Sequence, residues 1–224
     1  MILRLWVCIV FSILAGPLGA QEFIESKGQL SDDTFYKMVA CAAPENQTCQ
    51  KPFVKWSQRK AQNITVSLKR IDPAYPRDKL STINAGIALA ITELNAVPNG
   101  PRFRRVNDGS KADIQILLLD TAANSTLKNT NIKGLDGVRI QHAWVQIWWN
   151  NNNTITRAAI VFSKDVSTAS AGSIMLEELT QALGFITDLR NPYYEANSIF
   201  SEDSNTRTDL APQDIKAIQR HYAN

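Results

Sequence analysis

The chain has 224 residues, a formal net charge of +3 and 44% hydrophobic residues. The charge is near balance and no long block of lysine or arginine stands out, which argues against a nucleic-acid-binding protein. After the first twenty residues, no stretch reaches the roughly 18 consecutive apolar residues of a membrane-spanning helix, so we expect no stable membrane insertion.

The N-terminus has the pattern of a secretory signal peptide. One basic residue, Arg4, precedes an apolar run from Leu5 to Ala15 and the segment Gly-Pro-Leu-Gly-Ala that ends at Ala20. The apolar run is too short to cross a bilayer, so we expect cleavage after Ala20 and a periplasmic or secreted protein. Retention of the segment as an N-terminal anchor is the alternative.

The spacing of apolar residues predicts a mixture of helices and strands. In chain order these are a helix with Ser31 as N-cap, a half-buried strand (63–70), a long helix (79–96), an arginine-rich strand (102–106), a buried strand (114–119), a polar loop (121–137), an antiparallel hairpin (143–149 and 156–162), a helix from Ser173 and a closing helix (210–222). We divide the chain into a signal peptide (1–20), an N-terminal helix with a disulfide loop (21–53) and one α+β domain (54–224).

Two cysteines follow the predicted signal peptide, Cys41 and Cys49. A close pair in an exported protein indicates a disulfide, which on the loop-entropy model stabilises the fold by roughly 2–3 kcal/mol. Zinc binding by this pair alone is disfavoured, because two ligands do not complete a zinc site.

The helix SIMLEELTQALGFITD, from Ser173 onward, carries the candidate site. Glu177 and Gln181 are four residues apart and therefore lie one above the other on one face, with Glu178 beside them. Gly184 marks the helix end. In zinc-peptidase helices, two ligands occupy such positions and a glutamate next to the first ligand acts as general base. The pattern therefore makes Glu178 the candidate general base.

The segment EELTQALGFITD resembles the metzincin helix motif HExxHxxGxxHD with every histidine replaced. The three ligand positions hold Glu177, Gln181 and Thr187, and the retained positions are Glu178, Gly184 and Asp188. Downstream, NSIF resembles the turn beneath such sites, with Ser198 within it and Phe200 where methionine stands in the family. Residues 210–222 resemble the closing helix of matrixin-like domains.

The substituted form is similar to a secreted bacterial family of unknown function, number 2927 in that series. The resemblance implies one metzincin-like (zincin-like) domain. It would have a mixed twisted sheet, a long N-terminal helix, a site helix and a C-terminal helix, and the outer strand of the hairpin would line a substrate cleft. The chemistry does not follow from the resemblance, because the ligands are the residues that differ.

The chain has only two histidines, His142 and His221, and neither lies in the site helix, so a three-histidine zinc site is impossible. Oxygen ligands from Glu177, Gln181 and either Thr187 or Asp188 would suit a harder divalent ion. The alternatives are a metal-free degenerate site, in which the acid and amide hydrogen-bond each other or the backbone, and a metal-independent acid/base pair. We expect no resident metal.

The remaining candidate residues have structural alternatives as well. In the hairpin, one face carries His142, Trp144, Gln146 and Trp148, and the other carries Ala143, Val145, Ile147 and Trp149. If the second face packs on the site helix, Trp144, Gln146 and Trp148 form a strip for a peptide or sugar; sheet packing is the alternative. Asp188 could cap a turn, and Phe200 could pack in the core.

We expect an exported, non-catalytic protein that binds a peptide, a protein or an envelope component. The alternative is a hydrolase that uses Glu178 with an unusual metal or with none, and a purely structural partner protein is a third class. Oxygens of Glu177, Gln181 and a third residue converging in an open cleft near Glu178 would favour the hydrolase. Filling of that space by Phe200 or by the hairpin would favour the binding protein.

Overall fold

The computed structural model describes residues 23–223, so the predicted signal peptide and its cleavage site lie outside the described residues. The helices are α1 (Asp32–Cys41), α2 (Gln58–Ala61), α3 (Leu80–Ala96), α4 (Ala171–Gln181) and α5 (Pro212–Tyr222), and a 3₁₀ turn (Arg77–Lys79) precedes α3. The strands are β1 (Phe23–Glu25), β2 (Ile64–Ile71), β3 (Phe103–Arg105), β4 (Ile114–Leu118), β5 (Ser125–Thr126), β6 (Arg139–Ile140), β7 (Ala143–Trp149), β8 (Ile155–Phe162) and β9 (Asp188–Arg190). Within residues 23–223, no helix has the length and apolar character needed to cross a membrane.

A five-stranded mixed sheet in the order β3-β2-β4-β8-β7 organises the fold. The first four strands run parallel, and only β7 runs antiparallel, paired with β8 at the edge. The parallel pair β2 and β3 is connected through α3, as parallel strands require a crossover, whereas β7 and β8 are joined by the short Asn-rich turn. The predicted hairpin and the predicted central strand are confirmed.

The two faces of the sheet are covered differently. One face packs on α3 and α4 through a large apolar core, to which β7 contributes Ile147. The other face is covered by residues 121–140, which place Leu127, Leu135 and Ile140 over the sheet. The segment 121–137, predicted as a polar excursion loop, is irregular over most of its length. Its few apolar residues, which have no regular spacing, nevertheless build a second small core beside β5 and β6.

The N-terminal part of the described chain packs on the C-terminal part. The predicted N-cap of α1 is confirmed, since Ser31 Oγ accepts a hydrogen bond from the Thr34 amide at 3.2 Å. The predicted disulfide between Cys41 and Cys49 is also confirmed. α1 contacts α5, and β1 pairs in parallel with β9.

The site helix is more deeply covered than its sequence indicated. α4 runs from Ala171 to Gln181, so it begins before the predicted start at Ser173 and ends before Gly184, and Asp188 lies at the start of β9. Ser173 and Thr180, on the face that the pattern marks as polar, are 5% and 0% exposed. A period of 3.6 residues identifies the more apolar side of a helix but cannot show whether a second layer covers the other side. The α+β class with a mixed sheet is as predicted.

Candidate functional site

The acids of α4 face an open cleft between this helix and the edge strand β7. The cleft has a volume of about 490 Å³. Because β7 has a hydrogen-bonded neighbour on one side only, its outer edge borders the cleft. The lining side chains with polar or charged groups include Lys51, Arg139, His142, Trp144, Gln146, Glu177, Glu178, Gln181, Asp188, Glu202 and Asn205.

Buried side chains hold the C-terminal end of α4 in place. Its last carbonyl groups would lack partners in an isolated helix. Here the Ala182 carbonyl accepts a bond from the Trp56 indole at 2.9 Å, and the Leu183 carbonyl accepts one from the Tyr222 hydroxyl at 2.7 Å. Gly184 then turns the chain with φ of +114°, and a Cβ atom there would lie 1.8 Å from the Val54 carbonyl oxygen. Only glycine fits this turn, which brings Asp188 back to the cleft.

Gln181 and Asp188 form a direct pair in the cleft wall. The side-chain amide of Gln181 donates a hydrogen bond to the Asp188 carboxylate, with 2.7 Å between Nε2 and Oδ1. Gln181 therefore bonds to Asp188 and not to Glu177, its neighbour one turn away on the helix. The metal-free alternative paired Gln181 with Glu177 or with the backbone, whereas the observed partner is Asp188.

A lysine contacts the buried Thr187. Thr187 is 1% exposed. Its hydroxyl accepts a bond from the Lys51 ammonium group at 3.3 Å, and the carbonyl of Ile186 accepts a stronger one at 2.7 Å. Lys51 comes directly after the disulfide loop, where its amide donates to the Cys41 carbonyl. The loop closed by the disulfide thus places a positive charge beside the cleft acids.

The two adjacent glutamates of α4 occupy different surroundings. Glu178 is 7% exposed, whereas Glu177 is partly exposed to the cleft. Burial against the protein raises the pKa of Glu177 well above its usual range, and the negative charges of Asp188, Glu178 and Glu202 raise it further. A glutamate with a raised pKa beside other carboxylates is a typical acid/base arrangement, although structural clusters also show it.

The turn beneath the site is anchored to α5 by a buried carboxylate. Asp214 accepts hydrogen bonds from the Ser198 hydroxyl at 2.7 Å, from the Ile199 amide at 3.1 Å and from the Ala211 amide at 2.8 Å. Burial raises the pKa of Asp214 to about 6, against the opposing effect of these bonds. Phe200 is fully buried, with its ring 5.3 Å from that of Phe185, so its side chain fills the core and leaves the cleft open.

His221 supports the same region from below. Its Nε2 lies 2.9 Å from the Val54 carbonyl oxygen, so Nε2 carries the hydrogen, and Nδ1 accepts from the Tyr36 hydroxyl at 3.2 Å. Burial lowers the pKa of His221 to about 4, which keeps the ring neutral near pH 7. His221 is therefore a structural residue packed behind Gly184, and the cleft-lining histidine is His142.

The tryptophans of β7 do not form one continuous strip in the cleft. Trp144 and Gln146 border it, but the ring of Trp144 packs against the second core, as does that of Trp148. Trp148 also lines a different cavity on that face of the sheet. The indole nitrogen of Trp144 has no hydrogen-bond acceptor within residues 23–223. The side-chain oxygen of Asn205, which also lines the cleft, lacks a donor in the same part of the chain.

The donor set of the cleft differs from that of a zinc enzyme. Among the described residues, no group of three or more histidine, cysteine, aspartate or glutamate side chains is arranged to hold a metal ion. Of the three residues that the resemblance places at ligand positions, Glu177 carries a carboxyl group, Gln181 bonds to Asp188, and Thr187 accepts from Lys51.

Sequence reasoning did not identify three residues that shape this region: Lys51, Glu202 and Asp214. Lys51 and Glu202 lie far from α4 in sequence, and no motif connects them with it. Asp214 offered one usable signal, because an acid in the first turn of a helix that begins with proline is a common capping residue. Its link to Ser198 required the tertiary structure.

Residues 33–224 match the family model described as "Protein of unknown function (DUF2927)". The chain belongs to this family. The match covers the disulfide loop, α4, the turn beneath the site and α5. A search of curated proteins finds no significant match. Membership in the DUF2927 family agrees with the similarity inferred from EELTQALG and the closing helix, and it assigns no activity.

Proposed function

We propose that this DUF2927 protein is an exported, non-catalytic peptide-binding protein on a metzincin-like scaffold. The observation that carries the proposal is the open cleft along the edge strand β7, whose outer edge has no hydrogen-bonded neighbour strand among the described residues. A segment in extended conformation could add to the edge of β7, as in other cases of strand addition. Its backbone could then bond to the backbone groups on the outer edge of β7.

Two observations support the metzincin-like scaffold. In the five-stranded sheet, the single antiparallel strand is β7. It lies at the sheet edge next to α4, in the place that the resemblance assigns to the strand lining a substrate cleft. The residues at the motif positions, Glu177, Glu178, Gln181 and Asp188, line this same cleft.

Loss of zinc chemistry is supported by the contacts of the substituted residues. A catalytic zinc needs three protein ligands and an open position for water. The amide at position 181 bonds to Asp188, and the Lys51 ammonium group bonds to Thr187. In this proposal Lys51 supplies positive charge locally, and the protein needs no metal.

The charge of the cleft indicates which peptides it favours. Its lining contains the carboxylates of Glu177, Glu178, Asp188 and Glu202 against the two cations Lys51 and Arg139. Even with Glu177 protonated, negative groups are in excess. A peptide with basic side chains is therefore favoured over an acidic one, and the preference should diminish as salt screens the charges.

Binding can be tested by fluorescence polarisation with a library of labelled extended peptides. Glu202→Gln removes one cleft carboxylate and keeps the side-chain size, and we expect it to weaken the best basic peptide about threefold to tenfold, the effect of one charge contact. Glu195→Gln is the matched control, because this exposed glutamate does not line the cleft. Absence of any peptide ligand, or equal loss in both variants, would refute the proposal.

A hydrolase remains the second candidate, because the cleft is open and Glu177, with its raised pKa, lies beside the buried Glu178. Peptide cleavage by the purified protein that disappears in Glu178→Gln would establish it. Metal analysis of the same sample would show whether a divalent ion takes part. Cleavage with bound metal would overturn the non-catalytic proposal.

A further inference from the structure

A second cavity lies on the opposite face of the sheet, away from the acidic cleft. Its volume is about 570 Å³. It is bordered by the early parts of β2, β4 and β8, by the end of β7 and by Ile132 of the segment that covers this face. Its lining includes the charged side chains of Lys60, Lys111, Asp113 and Arg157 and the indole of Trp148.

The cations of this cavity outnumber its acids, and the single acid is already engaged. Asp113 accepts bonds from the amide and the hydroxyl of Thr65 at 2.8 and 2.6 Å. It also forms an ion pair of 2.9 Å with Lys60. The contacts of Asp113 therefore leave Lys111 and Arg157 as the uncompensated charges of the cavity.

Neither of these two cations has a carboxylate or hydrogen-bond partner for its side chain within residues 23–223. Arg157 is held in place by a ring, since its guanidinium carbon lies 4.0 Å from the centre of the Trp148 indole. Elsewhere on the surface, arginines such as Arg70 and Arg220 contact carboxylates at 2.6 Å. An arginine that is positioned by stacking keeps its N–H groups available for an anion.

We propose that this cavity binds a small phosphorylated ligand through Arg157 and Lys111. A guanidinium group recognises phosphate oxygens through paired N–H donors, and the ammonium group adds a second positive charge. Lys60 and Asp113 neutralise each other, so a ligand with about two negative charges would balance the remaining cations. The side-chain amide of Gln115 provides a polar group on the wall for the rest of the ligand. The proposal does not depend on the function of the acidic cleft.

Isothermal titration with sn-glycerol 3-phosphate tests the site directly. We expect binding that weakens about tenfold or more in Arg157→Gln and in Lys111→Gln, since each loses a charge-assisted bond. Arg104→Gln is the matched control. It removes the same charge from an exposed, unpaired arginine on β3 that lies outside the cavity, and it should leave binding unchanged. Because the three side chains are at the surface, unfolding midpoints should not differ between variants.

The phosphomonoester could be a soluble molecule or the headgroup of a lipid, and vesicles distinguish the two. Sedimentation with vesicles of phosphatidylcholine and phosphatidic acid in equal parts, compared with phosphatidylcholine alone, shows whether the protein binds a lipid phosphate. Binding of glycerol 3-phosphate without the vesicles indicates a soluble ligand. Binding of phosphatidic acid vesicles that is lost in Arg157→Gln indicates a lipid; either result supports the site. Absence of binding to both probes, or an equal loss in Arg104→Gln, would overturn the proposal.

Discussion

Replacing Gly184 by alanine tests how the site is held together. The new Cβ would lie 1.8 Å from the Val54 carbonyl oxygen, 2.9 Å from His221 Nε2 and 3.0 Å from the Val54 carbonyl carbon. Val54 is fully buried and its oxygen accepts the His221 bond, so the backbone there cannot move without loss of that contact. The cost therefore combines a strained backbone with overpacking in the core.

The two costs can be separated with a second glycine. At Gly109, φ is +78° and an added Cβ would meet no atom within 4 Å, so Gly109→Ala measures backbone strain alone, about 1–2 kcal/mol. Overpacking adds about 1–3 kcal/mol, and we expect Gly184→Ala to lower the free energy of unfolding by about 2–5 kcal/mol in total.

Urea unfolding followed by tryptophan fluorescence measures both variants, with the slope of the transition checked for two-state behaviour. If Gly184→Ala and Gly109→Ala lose the same free energy, the close contact with Val54 does not constrain the turn. The close approach of Gly184 to Val54 would then not be what returns Asp188 to the cleft.

Three further predictions concern stability and binding. Replacing Cys41 and Cys49 by serine together should lower the free energy of unfolding by about 2–3 kcal/mol in urea titrations, and no change would contradict the loop-entropy argument. The stabilising contribution of neutral His221 is present above pH 6.5 and is lost as pH falls through about 4, whereas that of protonated Asp214 is present below pH 3.8 and is lost as pH rises through about 6. These contributions oppose each other, but His221 is common to wild type and Asp214→Asn and cancels in their comparison. The difference in unfolding free energy between these two proteins should shift by about 2–2.5 kcal/mol in favour of wild type between pH 7 and pH 4, and a pH-independent difference would exclude the raised pKa. A basic peptide should bind the cleft more weakly as salt increases, by polarisation titration from low to physiological ionic strength, whereas salt-independent binding would mean that the carboxylates do not select the ligand.

The position of Lys51 has a functional consequence. In a metal site, the positive charge can be removed by a chelator or exchanged for another ion, whereas a lysine is part of the chain. The proposed binding activity should therefore survive extensive treatment with a chelator. Loss of binding that a divalent ion restores would favour the hydrolase-like alternative.

Much of the fold was predictable because its elements have strong local signals. Alternation of apolar residues identified β2, the Asn-rich turn identified the hairpin, and Ser31 with the acids after it identified the start of α1. The disulfide followed from two closely spaced cysteines. Each inference uses residues within about one element's length, where backbone geometry restricts the choices.

The covering of the second sheet face was not predictable in this way. Leu127, Leu135 and Ile140 are separated by polar residues without a helical or strand period. Their burial depends on the distant strands they meet. The same holds for Thr180, whose place on the less apolar side of α4 gave no indication that it would be fully buried.

The sequence by itself determined that Glu177, Glu178 and Gln181 share one region of a helix and that a glycine ends it, because helical geometry relates residues three and four apart. Only the tertiary structure decided the hydrogen-bond partners in this region, which are Asp188 for Gln181 and Lys51 for Thr187. The physical reason is that a pairwise electrostatic contact depends on distance through space, and chain segments separated by more than a hundred residues are brought within 3 to 4 Å by packing alone.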